Sequence, residues 1–425
     1  MPHSADSEDV DYGWSWADHW AEHDSTRELA GPRVPGKKAP REQSQLAKFH
    51  APEIVFGPGA LAELGHCAVR VGARRPFLVT DPGLMEAGWA DEAVGYLREA
   101  GLSAEIWHDV TPNPKDHEVE AAFERYQERG GDVIIGLGGG SCIDAAKGVA
   151  ILSGNGGRIL RYEGVNKVVH PIPPTVMVPS TSGTGADVSQ FAVITDTAER
   201  TKITIISRTV VPEISVIDPR LLITMPDWLN PASGMDALTH GIEAFVSRAH
   251  NPLTDNHALH AVKLISGHLR HTQTHPMRVK PRLAMAQASL EAGMAFTNAI
   301  LGVTHAMSHQ VGGLLDAPHG VLNAVLLPHV VRYNAQTHPQ RFVPLAAALG
   351  IPATGFTAQE VALEFADRIR QLADDLGMPK GLASLGVTEA DIPRLAGTTL
   401  KDACLATNPR KASRGDIEWL FREAL

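Results

Sequence analysis

The chain has 425 residues, 44% of them hydrophobic and 20% charged, with a formal net charge of −10. This composition fits an ordinary soluble globular protein of two or three domains, and the lack of a basic patch or of an apolar run of about 20 residues argues against nucleic-acid binding and a membrane span. Three scattered cysteines, Cys67, Cys142 and Cys404, argue against a disulfide framework; with the acidic, polar start MPHSADSEDVDYG, unlike a secretory leader, they lead us to expect a cytoplasmic protein.

Residues 1–46 differ from the rest. Trp14, Trp16 and Trp20 precede the linker-like GPRVPGKKAPREQSQ. A loosely ordered extension is expected there, with docking of the tryptophans onto the body or a partner subunit as the rival reading. Apolar runs then alternate with helical periodicity. Strands are predicted at 53–57, 76–81, 103–107, 132–137 and 174–179, with helices at 90–100 and 117–129. Continuous apolar strands alternating with helices imply a parallel sheet covered on both faces. Further short strands are predicted at 191–194, 202–206 and 214–217. Beyond about residue 220 strand signals nearly vanish, and helices are predicted at 234–247, 255–270, 280–296, 303–315 and 357–376. The expected division is an extension over 1–46, an α/β domain over 47–219 and a helical domain over 220–425.

The fourth strand runs into Gly138-Gly139-Gly140-Ser141-Cys142-Ile143-Asp144. Glycines let a phosphate approach the backbone, and the amides of an opening helix attract anions. The spacing is not G-x-G-x-x-G, so the ordinary Rossmann fingerprint is absent, and a tight structural turn is the alternative. Pro179-Ser180-Thr181-Ser182-Gly183-Thr184-Gly185 follows the fifth strand and offers hydroxyls and amides to a pyrophosphate or ribose, or forms a plain polar loop. Asp81 ends an early strand. A carboxylate there accepts from ribose hydroxyls and repels a 2′-phosphate, which favours NAD over NADP; capping the next helix is compatible with that role.

Asp236 and His240 are four apart on a predicted helix, as are His305 and His309, and His319 follows after Ala-Pro. Residues at i and i+4 share one helix face. One carboxylate and up to four imidazoles in apolar surroundings suit a divalent catalytic metal. A single histidine of this kind is more often a hydrogen-bonded core residue; two spaced pairs reverse that balance. His257, His260, His268, His271 and His275 are expected at the surface, and Cys142 as a small buried residue.

GGGSCIDAAK, PSTSGTG, GMDALTHGIEAFVS and GVTHAMSHQVGGLLDAPHG occur in that order. They resemble the iron-containing (group III) alcohol dehydrogenases, and the resemblance runs from about Ala51 to the end, including Asn408-Pro-Arg410. It implies an N-terminal dinucleotide domain, an all-helical C-terminal domain and a site in the cleft between them. It implies Asp236, His240, His305 and His319 as metal ligands, with Fe2+ ahead of Zn2+. His309 is similar to the family's further histidine near the reacting carbon. Asp81, Asn113, Gly138, Gly139, Gly140, Ser141, Asp144, Ser180, Thr181, Thr184, Val193 and Lys202 fall at positions expected to contact NAD. The implied reaction passes a hydride between NAD(H) and a small primary alcohol or diol and its aldehyde, in a homodimer or larger homo-oligomer. Ser180 stands where the family often has threonine, which keeps the hydroxyl. The runs from Pro114 and from Ala186 are similar to a branch associated with regulation of bacterial ethanol oxidation.

Three competing readings remain. A sensor binding NAD and an alcohol has no need of a complete ligand set. A dehydroquinate-synthase-like or polyol-phosphate enzyme would pair NAD with a metal, but through different ligand motifs and with basic residues for a phosphate. A structural or filament role fits the polar clusters least.

Overall fold

The computed structural model describes residues 48–425; the tryptophans of the extension lie outside them. The first half comprises strand β1 (Glu53–Phe56), helix α1 (Leu64–Arg70), β2 (Pro76–Val79), α2 (Pro82–Glu86), α3 (Trp89–Glu99), β3 (Glu105–Trp107), α4 (Asp116–Arg129), β4 (Val133–Gly138), α5 (Gly140–Asn155), β5 (Gly164–Val165), β6 (Thr175–Pro179), β7 (Phe191–Asp196), β8 (Thr201–Ile206) and β9 (Ile214–Ile217). Six strands form one parallel sheet in the order β1-β9-β6-β4-β2-β3.

Side-chain alternation explains why the sheet is covered twice. Phe77, Val79 and Ile134 face one core with Val119, Ala122, Ile143 and Ala146 of α4 and α5. Leu78, Val133, Ile135 and Leu137 face the other with Leu64 of α1 and Ala90, Ala93 and Leu97 of α3. Period-two strands buried on both faces read as unbroken apolar runs. Gly136 lets α5 lie close, since a Cβ there would stand 3.1 Å from that of Ala146 and 2.6 Å from the Met177 sulfur.

β5, β8 and β7 form a separate small sheet, with β7 and β8 antiparallel. The link Thr197–Arg200 is too short for the crossover of about a dozen residues that a parallel pair needs. This hairpin reaches the helical half: Arg200 donates to Leu314 O at 2.7 Å.

The second half is helical: α6 (Leu229–Val246), α7 (Pro252–Thr274), α8 (Val279–Ala299), α9 (Val303–Leu315), α10 (His319–Ala335), α11 (Phe342–Ala348), α12 (Ala358–Asp375), α13 (Ile392–Thr399) and α14 (Arg414–Glu423). Every residue of α6 from Asn230 to Val246 is buried, because α7, α8 and α10 pack around it. A helix buried on all sides must satisfy its polar side chains internally, and those of α6 build the site. Gly320 lets α10 approach α6, for a Cβ there would fall 2.1 Å from Ala232 O. No helix among the described residues is long and apolar enough to cross a membrane.

Candidate active site

Asp236 and His240 sit on one face of α6, His305 and His309 on α9, and His319 opens α10. The turns between these helices bring Asp236, His305 and His319 together. Gly302 precedes α9, and a Cβ on it would lie 2.9 Å from a Glu243 oxygen. That space lets Glu243, one turn beyond His240, accept from the amides of Gly302 at 2.9 Å and Thr304 at 2.7 Å. The same carboxylate accepts from His305 Nδ1 at 2.7 Å. Burial alone would raise the Glu243 carboxyl, but the bonds from His305 and Thr304 hold it below its ordinary value. A carboxylate on Nδ1 fixes the tautomer and leaves the Nε2 lone pair for a ligand role.

His305 Nε2 lies 3.9 Å from Asp236 Oδ1, and His319 Nε2 lies 3.7 Å from the same oxygen. Each of these three residues offers one atom within 4.8 Å of the others. The His240 ring stacks on His305 at 4.5 Å and on Phe296 at 4.4 Å, with Nδ1 3.1 Å from Gly183 O. His240 is thus beside the converging trio but not within that spacing. Burial pushes His240 down to about 4. It also drives His319 well below its ordinary value, with the Lys202 ammonium adding to the effect. Neutral imidazoles with inward lone pairs and a carboxylate suit a divalent cation, so the donor set fits the metal that the sequence leads us to expect.

His309 turns elsewhere. Its Nδ1 lies 2.8 Å from Asp402 Oδ2, both side chains being buried. Asp402 also accepts from the Cys404 amide at 2.9 Å. Burial would lift the Asp402 carboxyl, but His309 keeps it below the usual range. His309, Asp402 and Cys404 lie within ligand spacing of one another, yet Nδ1 and the carboxylate are already engaged with each other. Nε2 is the nitrogen left for the cavity that His309 lines.

That cavity, of about 120 Å³, joins the halves of the chain. Asn113, Gly140, Ser141, Asp144, Thr184, Val193 and Lys202 line it together with Asp236, His240, His305, His309 and His319. Phe191, Phe296 and Leu301 supply apolar wall. Asp81, Gly138, Gly139, Ser180 and Thr181 do not line it; they lie at the carboxyl ends of β2, β4 and β6. Asp81 caps α2 through Leu84 N at 2.9 Å and accepts from the Cys142 thiol at 3.1 Å. Cys142 is fully buried, as expected for a small packing residue, and burial drives its thiol up. Gly138 turns with φ +148°, where a side chain is strained, and a Cβ would meet the Cys142 sulfur at 2.5 Å. A Cβ on Gly140 would meet the Thr184 methyl at 2.7 Å. This bare, close-walled turn at the start of α5 fits a phosphate. The Ser182 hydroxyl is buried without a partner, a further unspent group in the second loop.

Neighbouring groups hold the cradle. Ser141 Oγ accepts from Asn113 N at 3.1 Å, Lys202 donates to Asn113 Oδ1 at 2.7 Å, and Asp144 accepts from Val193 N at 3.1 Å. Burial lowers Lys202 to about 8. Lys147, fully buried one turn after Asp144, donates to the carbonyls of Ala186 at 2.6 Å, Ser189 at 2.7 Å and Phe191 at 2.8 Å. Its ammonium ties down the segment that carries the cavity wall, though burial lowers its proton affinity. Lys147→Met removes the donor to three carbonyls and takes a cation away from the buried Asp144 and Asp187. We expect a loss of about 3–5 kcal/mol in urea unfolding; unchanged stability would show that the lysine is dispensable.

Lys147, Glu243, Asn323 and Asp402 escaped the sequence reading. Glu243 had a signal, since Asp236, His240 and Glu243 follow the i, i+4, i+7 pattern. His260 is exposed, as expected, and its Nδ1 lies 2.8 Å from Glu291, a carboxylate held down to about 2 despite burial by bonds from His257, His260 and Gln287.

The family described as iron-containing alcohol dehydrogenase matches residues 51–219, and the Fe-containing alcohol dehydrogenase family, C-terminal, matches residues 231–425. The chain is 42% identical to the 1,3-propanediol dehydrogenase of Klebsiella pneumoniae over 371 residues, 87% of this chain and 96% of that protein. It is 37% identical to the NAD-dependent methanol dehydrogenase of Bacillus methanolicus over 377 residues, 89% of this chain and 99% of that one. The crystal structure of a 1,3-propanediol oxidoreductase superposes with a TM-score of 0.86 at 41% identity, covering 90% of this chain and 100% of the other. Two matching halves, long relatives and a shared fold place this chain in the iron-containing alcohol dehydrogenase family.

Proposed function

We propose that this chain passes a hydride between NAD(H) and a small primary alcohol or diol and its aldehyde, with a divalent metal, Fe2+ ahead of Zn2+, held by Asp236, His240, His305 and His319. One observation carries the reading: the candidate ligands and the glycine-turn residues Gly140 and Ser141 line one cavity. Residues 47–219 hold the cofactor in this reading, through Asp81, Asn113, the Gly138–Ser141 turn, Asp144, Ser180, Thr181, Thr184, Val193 and Lys202. Residues 220–425 hold the metal.

When bound, the cation supplies Lewis acidity toward the substrate oxygen and the dinucleotide supplies the hydride acceptor. The protein's own groups do the rest. Phe191, Phe296 and Leu301 keep water from the reacting carbon and favour a short apolar substrate. His309, anchored by Asp402, carries the substrate proton at Nε2. The proposal extends to a homodimer or larger homo-oligomer, which sedimentation velocity distinguishes, and to the cytoplasm, supported by three free cysteines. The direct test is NADH formation from a panel of C1 to C6 alcohols and 1,2-diols; full metal loading without NADH from any of them would favour the sensor reading.

Asp81 sets the cofactor preference in this account. Asp81→Gly removes a carboxylate that repels a 2′-phosphate, and kcat/KM with NADP should rise at least about tenfold. An unaltered NAD-to-NADP ratio would reduce Asp81 to a helix cap.

A further inference from the structure

Glu243 is buried on α6, one turn after His240 and two turns after Asp236. Its carboxylate accepts from three N–H groups. Oε2 takes Gly302 N at 2.9 Å and His305 Nδ1 at 2.7 Å, and Oε1 takes Thr304 N at 2.7 Å. One helix thus carries two candidate ligands and the partner of a third.

The three candidate imidazoles differ in what stands on Nδ1. His240 has the Gly183 carbonyl at 3.1 Å and His319 has the Ser308 hydroxyl at 3.3 Å. His305 has a carboxylate. An anionic acceptor pulls on the Nδ1 proton and makes Nε2 a stronger donor than a neutral partner does. Asn323 of α10 shows which ring nitrogen of His305 holds the proton. Its Nδ2 lies 2.7 Å from Asp236 Oδ1 and 3.2 Å from His305 Nε2. Facing a carboxylate oxygen, this end of the amide is the NH2, which only donates. Nε2 of His305 is therefore bare and Nδ1 carries the proton, as the Glu243 contact demands. The amide donates into a lone pair that a cation would take, so Asn323 marks the tautomer and competes with the metal.

We propose that Glu243 is a positioning residue of the metal site that makes His305 its strongest imidazole donor. The carboxylate holds the proton on Nδ1 and leaves the Nε2 lone pair on the side of Asp236 and His319. This rests on the ligand assignment made under the proposed function. Outer partners of metal ligands typically contribute about 10- to 100-fold in affinity.

The test is a chelator competition with Zn2+ alone on the full chain, comparing the wild type with Glu243→Gln. Circular dichroism checks the fold, and the visible bands of bound Co2+ report donor strength. Glutamine keeps the shape and loses the charge, and its single acceptor oxygen cannot face Thr304 N and His305 Nδ1 at once. The expected result is about 10- to 100-fold weaker Zn2+ binding, with the Co2+ bands displaced from their wild-type positions. A mere cap of α9 would lower stability and move neither reading, so wild-type affinity and bands in the folded variant overturn the proposal. Should the variant not fold, 15N spectra of the histidine-labelled, metal-free wild type decide, with His305→Ala identifying the ring. A proton on Nδ1 is expected; a proton on Nε2 overturns the proposal. A wild-type chain that binds no metal overturns the ligand assignment itself, and the Glu243 proposal with it.

Discussion

His305→Ala yields a folded chain without metal and without turnover. His305 contributes one of three atoms that converge within 4.8 Å, and its ring also supports His240 by stacking. Alanine removes both contributions. The fold should survive, because Glu243 keeps its bonds from the amides of Gly302 and Thr304, so the start of α9 stays capped. Losing the metal forfeits several kcal/mol of Lewis-acid stabilisation, which corresponds to about 10³-fold or more in rate. Mass spectrometry of metal content, thermal unfolding and NADH formation measure the three parts. Wild-type metal content or activity in this variant would defeat the assignment.

His309→Ala separates from it. This residue is bonded to Asp402 rather than to the converging trio, so the variant should keep its metal and turn over slowly. Losing a positioned proton carrier costs typically about 10²- to 10⁴-fold. The loss should fall on kcat, while the metal content stays that of the wild type. Full activity would remove His309 from the chemistry; loss of metal would make it a ligand.

Much of the fold was legible because the parallel strands are buried on both faces. Ile134, Ile135 and Leu137 form an apolar run of the kind that only a covered sheet produces. The cluster of candidate ligands was legible for a related reason: charged and imidazole side chains at helical spacing in apolar helices stand out. Helix α10 was less visible, since it begins inside the Pro318-His319-Gly320 run and contains Pro328, two features that read as loop. Asp402 lies 93 residues beyond His309, capping a short 3₁₀ turn, and no periodicity connects the two. Lys147 was not legible either, because its ammonium is spent on three carbonyls about 40 residues away. Sequence spacing reveals partners on one helix; partners brought together by packing need coordinates.

The central claim is that four side chains hold a catalytic metal. It is tested most directly by purifying the full chain without oxygen and measuring bound metal by mass spectrometry, before and after reconstitution with Fe2+ or Zn2+. The account predicts about one divalent ion per chain, lost when Asp236 or His305 is replaced by alanine. No bound metal after reconstitution, or undiminished metal in both variants, would contradict it.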